Sequence, residues 1–131
     1  MIVQVIGLPC SGKTTIINSV IKKNPEIKYY DIRMLSEVTE IELLNNINKD
    51  SQNSLVILES ALGFFNLKSF VIHYKANNSQ YQKNLNFRQE SISQIEKQRL
   101  LNEMIPANYT VYTDKDFSKI INILYKKEKN E

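Results

Sequence analysis

Residues 2–15, IVQVIGLPCSGKTT, decide the fold. Ile2-Val3-Gln4-Val5-Ile6 is an apolar run of strand length, and it feeds directly into Gly7, Gly12, Lys13 and Thr14 at the spacing GxxxxGKT. Such a loop suits a polyphosphate, which needs several converging N–H donors and a backbone that side chains do not obstruct, hence glycines. After it, Ile16, Ile17, Val20 and Ile21 recur at intervals of one helical turn. The loop would therefore open onto a helix N-terminus, where unpaired N–H groups and the helix dipole favour an anion. Lys13 would neutralise the outer phosphates and Thr14 would offer its hydroxyl to magnesium. Pro9, Cys10, Ser11 and Thr15 complete the stretch expected to line the phosphates. A glycine-punctuated turn that binds nothing has the same spacing, but not the strand before it and the amphipathic helix after it.

The other elements follow from apolar periodicity. "KYYDIR" (28–33) reads as a second strand, and "EVTEIELLNNINKD" (37–50) has helical period. "SLVILES" (54–60) is a continuous apolar run ending in Glu59 and Ser60, as expected of a central parallel strand buried on both faces. "SFVIHY" (69–74) reads as a fourth strand, within which His73 reads as structural. Residues 79–104 are polar with helical spacing, a candidate lid. "YTVYT" (109–113) makes a last strand, and "DFSKIINILYKK" (116–127) a closing amphipathic helix with Asp114 or Asp116 as its cap. Residues 126–131 read as a polar tail. Strands alternating with helices imply a single-domain three-layer α/β/α fold with a five-stranded parallel sheet, whose ligands lie at the carboxyl ends of the strands.

Composition narrows the class. A chain of 131 residues makes one domain that buries roughly two-thirds of its unfolded surface. Lys and Arg number 17 against 14 for Asp and Glu, but the positive charges are dispersed, which argues against nucleic acid as a partner. No apolar run approaches the roughly 18 residues of a membrane span, and the chain starts in a strand with no charged leader. The single cysteine, Cys10, cannot form an internal disulfide and suits a reducing cytoplasm.

The strand-end rule gathers three polar clusters on one sheet edge: the loop, Asp31 with Arg33, and Glu59 with Ser60. Phosphoryl transfer needs a group that positions the acceptor, an acid that orients metal or takes a proton, and positive charge over the moving phosphoryl. Glu59 is the candidate acid. Asp31, Arg33 and Ser60 are candidates for the acceptor, although Asp31 and Arg33 could equally form a strand-ending salt bridge. Arg88 and Arg99 lie in 79–104, about three helical turns apart, and either could close over the phosphates; Arg88 is the favoured one.

The loop, "VILES" (56–60), "NFRQESISQIEKQ" (86–98) and "IPANYTVYTDKDFSKIINIL" (105–124) together resemble the P-loop kinases of small molecules and nucleotides. That group includes shikimate, adenylylsulfate and dephospho-coenzyme A kinases, and the pattern is nearest the last. The resemblance implies a lid opened by Arg88, followed by Ser91 and Gln98, with Ala107 before the last strand. The expected catalytic residues are Lys13, Asp31, Glu59 and Arg88, with ATP and magnesium as cofactors. Two departures stand out. Between Asp31 and Ser54 there is room for one helix, where dephospho-coenzyme A kinases carry a larger acceptor-binding insertion, and "DIR" stands where a carboxylate pair is usual. The expected protein is therefore a cytoplasmic phosphotransferase that moves the terminal phosphoryl of ATP to a small acceptor, a nucleotide or nucleoside. The alternatives are a nucleotide-binding protein without turnover and an end-healing polynucleotide kinase.

Overall fold

An apolar strand with no charged residue can be stable only if both of its edges and both of its faces are covered, and β1 (Ile2–Ile6) meets that requirement at the centre of the sheet. The computed structural model describes residues 1–7, 12–32, 39–60, 67–75 and 106–129. Its elements are β1, α1 (Lys13–Lys23), β2 (Lys28–Asp31), α2 (Glu40–Ser51), β3 (Val56–Ser60), β4 (Phe70–Tyr74), β5 (Tyr109–Val111) and α3 (Asp114–Lys129). The five strands lie in the order β2-β3-β1-β4-β5, all parallel. The three-layer parallel architecture expected from the sequence is thus the observed one.

Strand residues alternate between faces, and the core divides accordingly. On the first face Val3, Val5, Ile57, Ile72 and Tyr74 pack with Ile16, Ile17 and Val20 of α1 and with Phe117, Ile121 and Leu124 of α3. On the second, Ile2, Val56 and Leu58 pack with Leu43 and Ile47 of α2. Gln4, 2% exposed, is a polar exception in β1, and it donates from Nε2 to the Ser69 hydroxyl at 2.7 Å. Tyr30 at the β2 edge donates to the Asp50 carboxylate near the end of α2.

Helix ends follow capping chemistry. Thr39 caps α2, accepting the Glu42 N–H on its hydroxyl at 3.2 Å. The expected caps of α3, Asp114 and Asp116, are both inside the helix; Thr113 accepts the Asp116 N–H at 3.1 Å, and its carbonyl accepts the Phe117 N–H at 3.1 Å. A threonine hydroxyl caps as an aspartate does, and the two aspartates instead occupy the first turn, where negative charge complements the dipole. α3 also runs to Lys129, so most of the stretch read as a polar tail is helical. There Lys129 pairs with Glu26 at 3.3 Å, and Tyr125 donates to the same carboxylate. These two bonds hold Glu26 below the ordinary carboxylate pKa, the Tyr125 hydroxyl being the larger cause.

A cavity of about 470 Å³ lies beside this group, lined in part by Glu26, Asn53, Tyr125 and Lys129. It lies at the amino ends of β1 and β3, away from Gly12 and the start of α1. Among the described residues no helix is long and apolar enough to cross a membrane. The candidate lid, 79–104, lies outside the described residues.

Phe117 joins α3 to the sheet. It is 0% exposed, and its ring meets that of Tyr74 edge to face with centroids 6.5 Å apart. Phe117→Ala should destabilise the fold by about 3–5 kcal/mol, read as a lowered urea midpoint at unchanged slope.

Candidate functional site

The end of β1 and the start of α1 are joined by the loop that the sequence marked. Gly7 follows β1 and is buried. Gly12 is the N-cap of α1 with φ 91° and ψ 11°, a left-handed conformation. A β-carbon added at Gly12 would meet nothing within 4 Å, so the glycine is needed for its backbone angle, not for space. Its carbonyl accepts the Ile16 N–H at 3.2 Å and starts the helix. Pro9, Cys10 and Ser11 lie outside the described residues.

The three helices among the described residues begin differently. α2 and α3 each start with a threonine hydroxyl cap and two acids in the first turn. The N-cap of α1 provides no side-chain hydrogen bond, its first turn holds no acid, and it begins Lys13-Thr14-Thr15. Among the described residues, the first turn of α1 thus carries none of the acidic side chains that open α2 and α3, and a negative charge there would complement its dipole. Lys13 and Thr14 are half-buried there, and Thr15 is exposed.

Glu59 lies opposite this helix start. It is 4% exposed and, in register, stands between Val5 of β1 and Asp31 of β2. A carboxylate withdrawn this far from water needs hydrogen-bond partners, and two hydroxyls supply them. Thr14 Oγ1 donates to Oε1 at 2.5 Å, and Tyr29 Oη donates to Oε2. The Tyr29 hydroxyl also lies 3.3 Å from Asp31 Oδ2. Burial, and then the bond to Glu59, push the Tyr29 phenol well above its ordinary pKa, so it remains a donor.

Thr14, Tyr29, Asp31 and Glu59 therefore form one cluster at the carboxyl edge, drawn from α1, β2 and β3 on the first face. Ser60 is buried at the same edge beside Ile6, but as the neighbour of Glu59 it belongs to the opposite face, that of Leu58. His73 is also buried, in register with Ile6 on the other side of β1. Arg33, Arg88, Ser91, Gln98 and Arg99 lie outside the described residues. Tyr29 was not singled out in the sequence; its signal was the two-residue spacing to Asp31, which puts both on one face of β2.

No family model matches the chain, and no curated protein matches it in sequence. Solved structures resemble it closely in fold. A protein of Eubacterium ventriosum superposes with a TM-score of 0.65 at 8% identity, over 97% of this chain and 98% of that one. The YorR protein of Bacillus subtilis, crystallised in complex with phosphorylated GDP, gives 0.61 at 16% identity, over 100% and 99%. Shikimate kinase from Aquifex aeolicus gives 0.56 at 16% identity, over 96% of each chain. The fold is that of the P-loop kinases.

Gly12 links this fold to its site through one backbone angle. Gly12→Ala forces a β-carbon into the left-handed region and should cost about 1–2 kcal/mol of stability, although no atom obstructs it. A melt showing no loss would mean that the loop relaxes to another conformation.

Proposed function

We propose that the chain is a phosphotransferase that binds ATP with magnesium and moves the terminal phosphoryl to a small acceptor, a nucleoside or nucleotide. One observation carries this reading: the hydroxyl of Thr14, at the phosphate-loop end of α1, donates to the buried carboxylate of Glu59 at the carboxyl end of the adjacent β3. A hydroxyl and an acid held together beside a phosphate loop are the hard oxygen donors that magnesium takes, directly or through water. Thr14 donates a hydrogen bond to Glu59 and keeps its lone pairs for a cation. Thr14 and Glu59 would hold magnesium, which when bound screens the charge of the phosphate oxygens.

The protein's own groups divide the remaining work. Backbone N–H groups from Gly7 to Thr15, together with Lys13, would bind the phosphates at the uncapped end of α1. Asp31, next to Glu59 in register, would hold the acceptor hydroxyl and receive its proton as the acceptor oxygen bonds to the terminal phosphorus. The bond from that phosphorus to its bridging oxygen breaks and ADP leaves. Arg33 would hold an anionic group of the acceptor, and Arg88 would cover the moving phosphoryl. Ser60, on the opposite face from Glu59, is the weakest of the acceptor candidates. A cytoplasmic setting, reducing and rich in ATP and magnesium, suits Cys10 within the loop.

Two measurements test the reading. Magnesium with ATP at about 100 times its dissociation constant should stabilise the fold by roughly 2.7 kcal/mol, a rise of several degrees in Tm, and Lys13→Ala should lose most of it. An unchanged melting curve at saturating nucleotide would remove the phosphate site itself. Glu59→Gln, assayed for ATP consumption against a panel of nucleosides, nucleotides and small hydroxyl compounds, should lower turnover by at least about a hundredfold while nucleotide still binds. Binding by the parent chain with no turnover on any acceptor would leave a nucleotide-binding protein.

A further inference from the structure

Glu59 has two oxygens, and the phosphate loop accounts for only one of them. Its Oε1 faces the Thr14 hydroxyl, while Oε2 is held by Tyr29, whose ring is half-buried on β2. A carboxylate with a hydroxyl on one oxygen can still rotate about its last bond; with a hydroxyl on each oxygen it cannot turn without losing one of them. The second bond comes from a strand that contributes nothing to the loop. Tyr29 and Glu59 lie on neighbouring strands in a fixed parallel register, in which Ile57 pairs with Tyr29 and Glu59 with Asp31. The phenol thus reaches forward along the sheet edge to the acid and ends within 3.3 Å of Asp31 Oδ2.

The adjacent residue provides a contrast. Tyr30 makes the same kind of bond, a phenol donating to a carboxylate, but on the other face and to Asp50 of α2, remote from the loop. Burial and the Asp50 carboxylate push its pKa up to about 12. Two consecutive tyrosines on one strand therefore anchor two acids, one in the fold and one in the site.

Resting on the reading of Glu59 as the magnesium-orienting acid, we propose that Tyr29 is a positioning residue: it locks the Glu59 carboxylate in the orientation that receives the cation, and so sets how strongly magnesium reinforces nucleotide binding. It does so without contact with nucleotide, and its loss should leave the phosphate cradle intact. Groups that orient a metal-holding side chain typically contribute about 10- to 100-fold in metal affinity.

The test is calorimetric titration of a non-hydrolysable ATP analogue into the full chain, with and without magnesium. The readout is the factor by which magnesium tightens binding. In Tyr29→Phe that factor should fall about 10-fold or more, while magnesium-free affinity stays within about twofold. Tyr30→Phe, which removes the fold-directed phenol from the next position, should lower Tm and leave the factor unchanged. In a Glu59→Gln background, adding Tyr29→Phe should have no further effect, because the phenol acts through Glu59.

A parent-like magnesium factor in Tyr29→Phe overturns the proposal and leaves the phosphotransferase reading standing. An equal fall in Tyr30→Phe, or independent effects in the double variant, overturns it in favour of general stability. A Tyr29→Phe chain that fails to fold does the same, since the phenol would then serve the fold. A parent chain whose affinity does not respond to magnesium removes both this proposal and the reading beneath it.

Discussion

Burying a carboxylate at the end of an apolar strand is costly unless its oxygens are met by hydrogen bonds, and the arrangement around Glu59 answers that constraint. Thr14 and Tyr29 come from different elements, so satisfying the acid fixes the start of α1 and the outer strand β2 against β3. The left-handed turn at Gly12 then does more than begin a helix. It sets the first turn of α1 so that Thr14 meets the acid at the carboxyl edge of the sheet. Removing either hydroxyl would leave an oxygen of a buried acid to find another partner, a loss of about 1–3 kcal/mol where none replaces it.

Much of this was legible in the sequence, and the limits have physical causes. β1, β3 and β4 were readable because strands buried on both faces need continuous apolar runs, and GxxxxGKT between a strand and an amphipathic helix fixed the loop. Glu59 was legible as the polar end of such a run. Tyr29 was not, because a tyrosine at a strand edge has the same local signature whether it fills the core or holds an acid. Only the parallel register of β2 with β3, a pairing between distant residues, brings it to Glu59. Ser60 shows the reverse. Sequence proximity grouped it with Glu59, whereas the two-residue period of a strand sends neighbours to opposite faces. The cap of α3 was misplaced by one residue relative to Asp114, because Thr113 supplies the same kind of oxygen.

The two faces of the sheet have separate polar economies. On the second face, Gln4 with Ser69 and Tyr30 with Asp50 tie the segment before β4 and α2 to the strands. On the first, the apolar contacts of α1 and α3 end at the carboxyl edge in Thr14, Tyr29, Asp31 and Glu59. Phe117 and its neighbours pack on the same face. At the opposite, amino end of the sheet, exposed charges such as Glu26 and Lys129 neutralise one another, and the bond there is of the solvent-screened kind that adds little to stability.

The central position of β1 has a consequence for how the chain is made. Both of its neighbours, β3 and β4, come later in the chain, so on the ribosome β1 emerges with two bare edges and waits for Val56–Ser60 to follow. At ordinary translation rates of about 5–20 residues per second, that wait lasts seconds, far longer than local helix formation takes. An uncharged apolar segment with unpaired edges is the kind most prone to pairing with the wrong partner. α1 can form early and shield one face of β1, but it cannot supply the missing ladder. During biosynthesis, the strand that leads into α1 is therefore a segment in need of protection.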